Sequence, residues 1–188
     1  MNSKQAQKKQ TREQILVAAA RCFREEGYKP TRIDHIMESI GLTVGGFYNH
    51  FDSKDALFRE VVDKTVSFAV EADDPNSQQA ARSLDEILDM YLSKEHRDNP
   101  ASGCILPCLS GEISRADDDV RGAYTSFVNR IVDKIAADVD TGDAFTNRQR
   151  AMAVVAMAVG ALLLARAVND EKTSDEILTA SRKAASQM

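Results

Sequence analysis

The chain has 188 residues, 43% of them hydrophobic, and a formal net charge of −5 at pH 7, which suits one large globular domain or a small domain joined to a larger one. Three cysteines, Cys22, Cys104 and Cys108, are odd in number and exclude a disulfide framework, pointing to a reducing, cytoplasmic setting. Only 4 Pro and 9 Gly among many Ala, Asp, Glu, Arg and Lys predict an all-α fold.

The N-terminal run MNSKQAQKKQ lacks the apolar stretch of a signal peptide. Charge is unevenly spread. Residues 1–60 carry a balance of +2 and residues 61–188 a balance of −7. Lys4, Lys8, Lys9 and Arg12 are basic, with no acid among the first twelve residues. A basic arm on a near-neutral head, followed by an acidic body, suits a head that meets an anionic partner. A solvated tail would read the same way.

Thr11 is placed to cap a first helix, with Ile15, Leu16, Ala19, Cys22 and Phe23 on its apolar face and Gly27 at its end. Thr31 can cap a second, lined by Ile33, Ile36, Met37 and Ile40 and stopped by Gly41. Thr43 can cap a third, very short helix held inward by Leu42, Phe47 and Phe51. Ser53 starts a fourth, running to about Val70, with Leu57, Phe58, Val61 and Val62 as its stripe. The break DDPNS at 73–77 marks the boundary between head and body.

The body reads as helices near 77–95, 103–115, 117–139, 146–169 and 174–186, with KEHRDNPASG as a loop. Residues 151–165 carry no charge. Fifteen residues are short for a membrane span, so a helix buried on most sides is expected, and no membrane partner. Ala153, Ala156, Met157, Gly160 and Ala161 permit close helix approach, and the final helix offers Ile177, Leu178, Ala180 and Ala184. Together they predict a four-helix interface between two copies.

The segment GLTVGGFYNHFDSK at 41–54 makes the third helix the second half of a helix-turn-helix, whose leading residues enter the major groove. Gly45 and Gly46 are poor helix formers, each costing about 1 kcal/mol against Ala, but they let the backbone approach DNA. Thr43 and Val44 present methyl groups that suit the thymine C5-methyl. Tyr48, Asn49, His50 and Lys54 can reach phosphates, and Thr31 can add one more contact.

The pattern T-x-I-x-x-I-x-x-x-x-G-L-T-x-G-G-F-Y-x-H-F-x-S-K-x-x-L at residues 31–57 resembles the N-terminal domain of the TetR family of transcriptional regulators. The resemblance covers roughly residues 9–69. It implies a DNA-binding unit at 9–69, with a recognition helix at about 43–50, and an effector-binding and dimerisation unit at 70–188. It further implies a three-helix head linked by a helix to a C-terminal bundle that dimerises on a double-stranded operator. Positions matching Thr43, Val44, Gly45, Tyr48, His50 and Lys54 commonly face DNA in that family. Met37, where Ala is frequent, and Val44, where polar or basic residues are frequent, depart from its pattern.

The body's most informative stretch is SGCILPCLSGEIS at 102–114. Cys104 and Cys108 are four apart and share a helical face. A thiol at a helix N-terminus has a lowered pKa, which would make Cys104 a sensor of electrophiles or oxidants. Alternatively both cysteines line a pocket, or they join His96 at a metal, or they form the redox pair of a small thiol-dependent enzyme. A helical interaction module without DNA contact is a further alternative. An effector pocket is predicted from Leu88, Tyr91, Cys104, Ile105, Cys108, Leu109, Tyr124, Phe127 and Val128, suited to a small, apolar or electrophilic effector. No catalytic residue, metal or cofactor is assigned. The expected function is a ligand- or redox-responsive regulator, a repressor of a palindromic operator.

Overall fold

Capping chemistry and apolar spacing account for the elements seen in the computed structural model, which describes residues 3–64, 83–138 and 142–188. The first helix, α1 (Ser3–Glu26), begins eight residues before Thr11. Nothing in SKQAQKKQ interrupts a helix, so Thr11 lies inside it and caps nothing. Gly27 ends α1 at φ +89°, in the left-handed region that suits glycine. The second helix, α2 (Ile33–Glu38), has Arg32 at its N-cap position, without a side-chain cap hydrogen bond. Thr31 is buried, and its hydroxyl donates to the Gly27 carbonyl at 2.7 Å. The third, α3 (Val44–Phe47), follows Gly41 at φ +70°. The fourth, α4 (Lys54–Lys64), has its first turn closed by the Ser53 hydroxyl, which accepts from Ala56 N–H at 3.0 Å. Leu57, Phe58, Val61 and Val62 are its buried face, as the spacing predicts.

The expected extension of α4 to 70, the DDPNS break, the domain boundary at 69/70 and the onset of a helix at 77 lie outside the described residues. In the body, α5 (Leu84–Tyr91) opens with a capping box between Ser83 and Glu86. The expected loop KEHRDNPASG is instead α6 (Lys94–Asp98) followed by a 3-10 turn, Pro100–Ser102. Ser93 caps α6 through His96 N–H at 3.0 Å, a signal hidden in so short an element. Then come α7 (Ile105–Ile113), α8 (Asp118–Asp138), α9 (Ala144–Ala167) and α10 (Glu171–Ala185). Asp143 caps α9 and Asp170 caps α10. The described residues contain helices and no strand.

In the head, Phe23 meets Phe58 edge-on at 5.1 Å, and Tyr28 packs on Phe58 at 4.3 Å. Burying each ring stabilises the fold by about 2–3 kcal/mol. Head and body meet along α4 and α8, where Arg59 pairs with Asp119 at 3.1 Å and Arg130 donates to the Asp63 carbonyl at 2.8 Å. They meet again at the end of α1. There the Glu112 carboxylate on α7 accepts from the backbone N–H groups of Tyr28 and Lys29.

By length and composition alone, Phe145–Ala167 could cross a membrane. It carries Arg148 and Arg150 near its start and packs against α8 and α10. Its outer stripe, Met152, Ala156 and Leu163 with neighbouring Leu164, is exposed, while Ala161 is buried within the protomer. Of the residues expected to permit close approach, Ala156 lies on this stripe, and Ala153, Met157 and Gly160 are half-buried beside it.

Candidate nucleic-acid interface and body site

Two short helices present the candidate DNA-facing surface. The turn at Gly41 sets α3 against α2. Phe47 is fully buried, with Phe51 stacked on it at 5.7 Å. The backbone stays helical past the end of α3, through Phe51 N–H to the Phe47 carbonyl at 3.1 Å. This anchoring turns Thr43, Val44, Gly45, Tyr48 and Asn49 outward, all exposed. Val44 is 40% and Tyr48 60% exposed, high for apolar or aromatic side chains. The Tyr48 ring stands edge-on to Phe47 at 5.2 Å, which fixes its direction without burying it. Thr43 occupies the N-cap position, yet its hydroxyl makes no cap hydrogen bond and is available to an outside group.

Gly45 has no packing reason to be glycine. A Cβ there would meet nothing within 4 Å, whereas at Gly46 it would touch Met37 and Thr43. The missing side chain at 45 leaves room on the outer face only.

The basic arm is the start of α1. Lys4, Lys8 and Lys9 are exposed on it. Arg12 is committed inward: it pairs with Glu60 and lies over the Phe51 ring at 4.4 Å. Its hydrogen bond, with help from Lys64, holds the Glu60 carboxyl down at about 2. His50 is half-buried, with Nδ1 enclosed and unbonded among the described residues. Burial lowers its pKa, and the charges of Lys8 and Arg12 lower it further. Arg12 over the Phe51 ring places the arm beside the end of the recognition helix.

Two residues predicted to meet phosphates are placed otherwise. Thr31 is buried and bonded internally. Lys54 donates to the carbonyls of Thr31 (2.7 Å) and Lys29 (3.3 Å) and covers the Tyr28 ring at 4.3 Å. Burial lowers its pKa. Lys54 therefore ties the α1–α2 turn to α4. Tyr28, whose hydroxyl donates to Asp55, belongs to the same joint. Neither it nor Glu112 carries a local sequence signal, because both act across long chain separations.

In the body, an apolar cavity of about 30 Å³ is lined by Ile87, Leu88, Tyr91, Cys104, Leu106, Ile131, Ile135, Val154, Val155, Ala158 and Val159. Of the predicted pocket, only Leu88, Tyr91 and Cys104 line it. Ile105, Leu109 and Phe127 are fully buried in the core, while Cys108, Tyr124 and Val128 are half-buried against it. The cavity's far wall comes from α8 and α9, which sequence spacing did not single out. Tyr124 O–H pairs with Ser110 at 2.5 Å.

Burial acts against the expected activation of Cys104. Its sulfur does accept from Leu106 N–H at 3.5 Å, but the side chain is buried and its pKa is pushed up to about 11 by that burial. Burial raises Cys108 as well, against the pull of Arg166, which donates to its sulfur at 3.4 Å. His96 is fixed as a neutral ring, Nδ1 donating to the Tyr91 carbonyl (2.8 Å) and Nε2 accepting from Cys104 N–H (3.1 Å). Burial lowers its pKa. A Cβ on Gly103 would come 2.5 Å from that Nε2, so glycine is required there.

The sequence model for "Bacterial regulatory proteins, tetR family" matches residues 15–61. A protein named as an uncharacterized HTH-type transcriptional regulator in the lacX 3' region of Lactococcus lactis subsp. lactis is 27% identical over 167 residues, 85% of each chain. The HTH-type transcriptional repressor DhaR of Mycobacterium sp. (strain GP1) is 22% identical over 175 residues, covering 89% of this chain and 88% of DhaR. The crystal structure of a TetR-family transcriptional regulator from Cytophaga hutchinsonii superposes with a TM-score of 0.75 at 21% identity, covering all of this chain and 98% of that one.

Proposed function

From the match of its head to the TetR-family model and its likeness to a transcriptional regulator along most of its length, we propose that this chain is a dimeric, effector-responsive TetR-type repressor that binds a palindromic operator. Residues 9–69 act as the DNA-binding unit and residues 70–188 as the effector-binding and dimerisation unit, in the cytoplasm.

The observation that carries the reading is the outer face of α3. Exposed Thr43, Val44, Tyr48 and Asn49 surround a glycine at 45 that nothing inside the protein requires. Backbone and methyl groups can then meet base edges while the hydroxyls, Asn49 and the arm lysines meet phosphates. His50 supports the end of the helix. The exposed stripe of α9 supports a two-fold pairing through α9 and α10, which would set two recognition helices about 34–36 Å apart. The name of DhaR supports repression. A body that moves α7 would move Glu112, and with it the Tyr28–Lys29 backbone that leads into α2. An effector that binds better to the displaced arrangement would release the operator.

Operator binding tests this: salt-dependent, sequence-specific retardation of duplex DNA is expected from the wild type and not from Tyr48→Ala. Equal retardation of both would remove α3 as the reading element.

A further inference from the structure

Among the described residues of the body, one buried side-chain polar group lacks a hydrogen-bond partner. Tyr91 is 8% exposed, and its hydroxyl has no hydrogen-bond partner among the described residues. It lies beside the Cys104 thiol, a weak partner at best, and both line the apolar cavity. A buried unpaired hydroxyl costs about 1–3 kcal/mol. The ring itself is held from the other side, edge-on to His96 at 4.8 Å, with His96 Nδ1 donating to the Tyr91 carbonyl. The hydroxyl therefore cannot swing away to find water without breaking that seat.

Bound water does not answer the need. The space is large enough for about two waters. Yet the remaining lining is aliphatic and offers a water little beyond the one hydroxyl and one thiol, short of the two to four polar partners a buried water needs. No lining residue is charged, so an ionised ligand would stay uncompensated. The match is a molecule with an apolar body and a single neutral oxygen.

Building on the reading of an effector-responsive body, we propose that this cavity is the effector site and that it takes a small, uncharged, mainly apolar molecule, anchored by one hydroxyl or carbonyl oxygen on Tyr91. The cavity as described is smaller than a six-membered ring. Entry must turn aliphatic side chains aside, Leu106 on α7 among them, so the ligand favours an expanded arrangement. Cys104 serves as a neutral wall, not as a nucleophile.

The test uses the full-length protein with benzyl alcohol, toluene and benzoate as matched probes. Binding is followed by the methyl resonances of Ile131, Val154 and Ala158, and operator retardation is measured on the same samples. Benzyl alcohol should bind saturably about tenfold tighter than toluene, one hydrogen bond's difference, and benzoate should not bind. In Tyr91→Phe the protein should be as stable as the wild type or more so, because an orphan hydroxyl is gone, while benzyl alcohol falls to the affinity of toluene. Equal affinity of the two probes in the wild type, an unchanged preference in Tyr91→Phe, or no binding by either probe would overturn the assignment while leaving operator binding intact. Failure of the probe-free wild type to bind any operator would instead overturn the regulator reading on which it rests.

Discussion

Gly45 offers a test in which stability and function move in opposite directions. Replacing it with Ala adds one methyl group. That methyl meets nothing within 4 Å in the protein, so no clash offsets the gain in helix propensity. The gain is about 1 kcal/mol for glycine to alanine in a helix. For a protein of this size it corresponds to an increase in Tm of about 2–4 °C. The same methyl stands on the open face of α3, where the backbone is argued to approach DNA. Losing that approach should weaken operator binding by about tenfold, roughly 1.4 kcal/mol. Thermal unfolding and retardation of operator DNA, measured on one preparation, read both effects. A variant that is stabilised yet binds as tightly as the wild type refutes the argument that glycine at 45 serves DNA. A destabilised variant refutes the open space.

Three other outcomes follow from the geometry. Leu163→Glu puts a charge into the exposed stripe of α9 (Leu163 is 51% exposed), so it should fold as a monomer by light scattering and lose operator binding. A variant that stays dimeric removes α9 from the interface. Glu112→Gln removes the carboxylate that accepts from Tyr28 and Lys29 N–H. It should cost about 1–2 kcal/mol in urea unfolding and speed amide exchange at those two residues; unchanged exchange would remove the joint. For pH, His96 and His50 both have folded pKa values below the ordinary histidine value, chiefly through burial. Their stability contribution is complete above about pH 6.5 and declines as pH falls through the folded values. The urea midpoint should drop between pH 7 and 5, with a shallower drop in His96→Gln. A midpoint that rises with acid contradicts the buried neutral rings.

The helical pattern was legible where spacing and capping act locally. Leu57, Phe58, Val61 and Val62 share a face because three- and four-residue spacing puts them there, and Gly27 and Gly41 stop helices at positive φ as expected. The outward set of the third helix was legible because Phe47 and Phe51 define its inner side. What escaped the sequence depends on distant chain. Thr31 has cap chemistry, but its hydroxyl finds the Gly27 carbonyl first. Lys54 looks like a phosphate ligand until two carbonyls and a tyrosine ring surround it. Cys104 stands at a helix N-terminus, where the local field favours thiolate, yet burial outweighs that field. The cavity wall from Ile131 to Val159 is hidden because α8 and α9 are apolar on several faces, and only packing decides which face borders empty space.

Selection of bound sequences from a random pool of duplex DNA, with Tyr48→Ala as the control, shows whether a dimer reads DNA through α3. A dimer reading DNA through α3 predicts enrichment of a two-fold symmetric site whose half-site centres lie about one helical turn apart, or a multiple of it, and its loss in the control. Absence of any enriched sequence with the dimeric wild type, or the same site enriched by Tyr48→Ala, would contradict it.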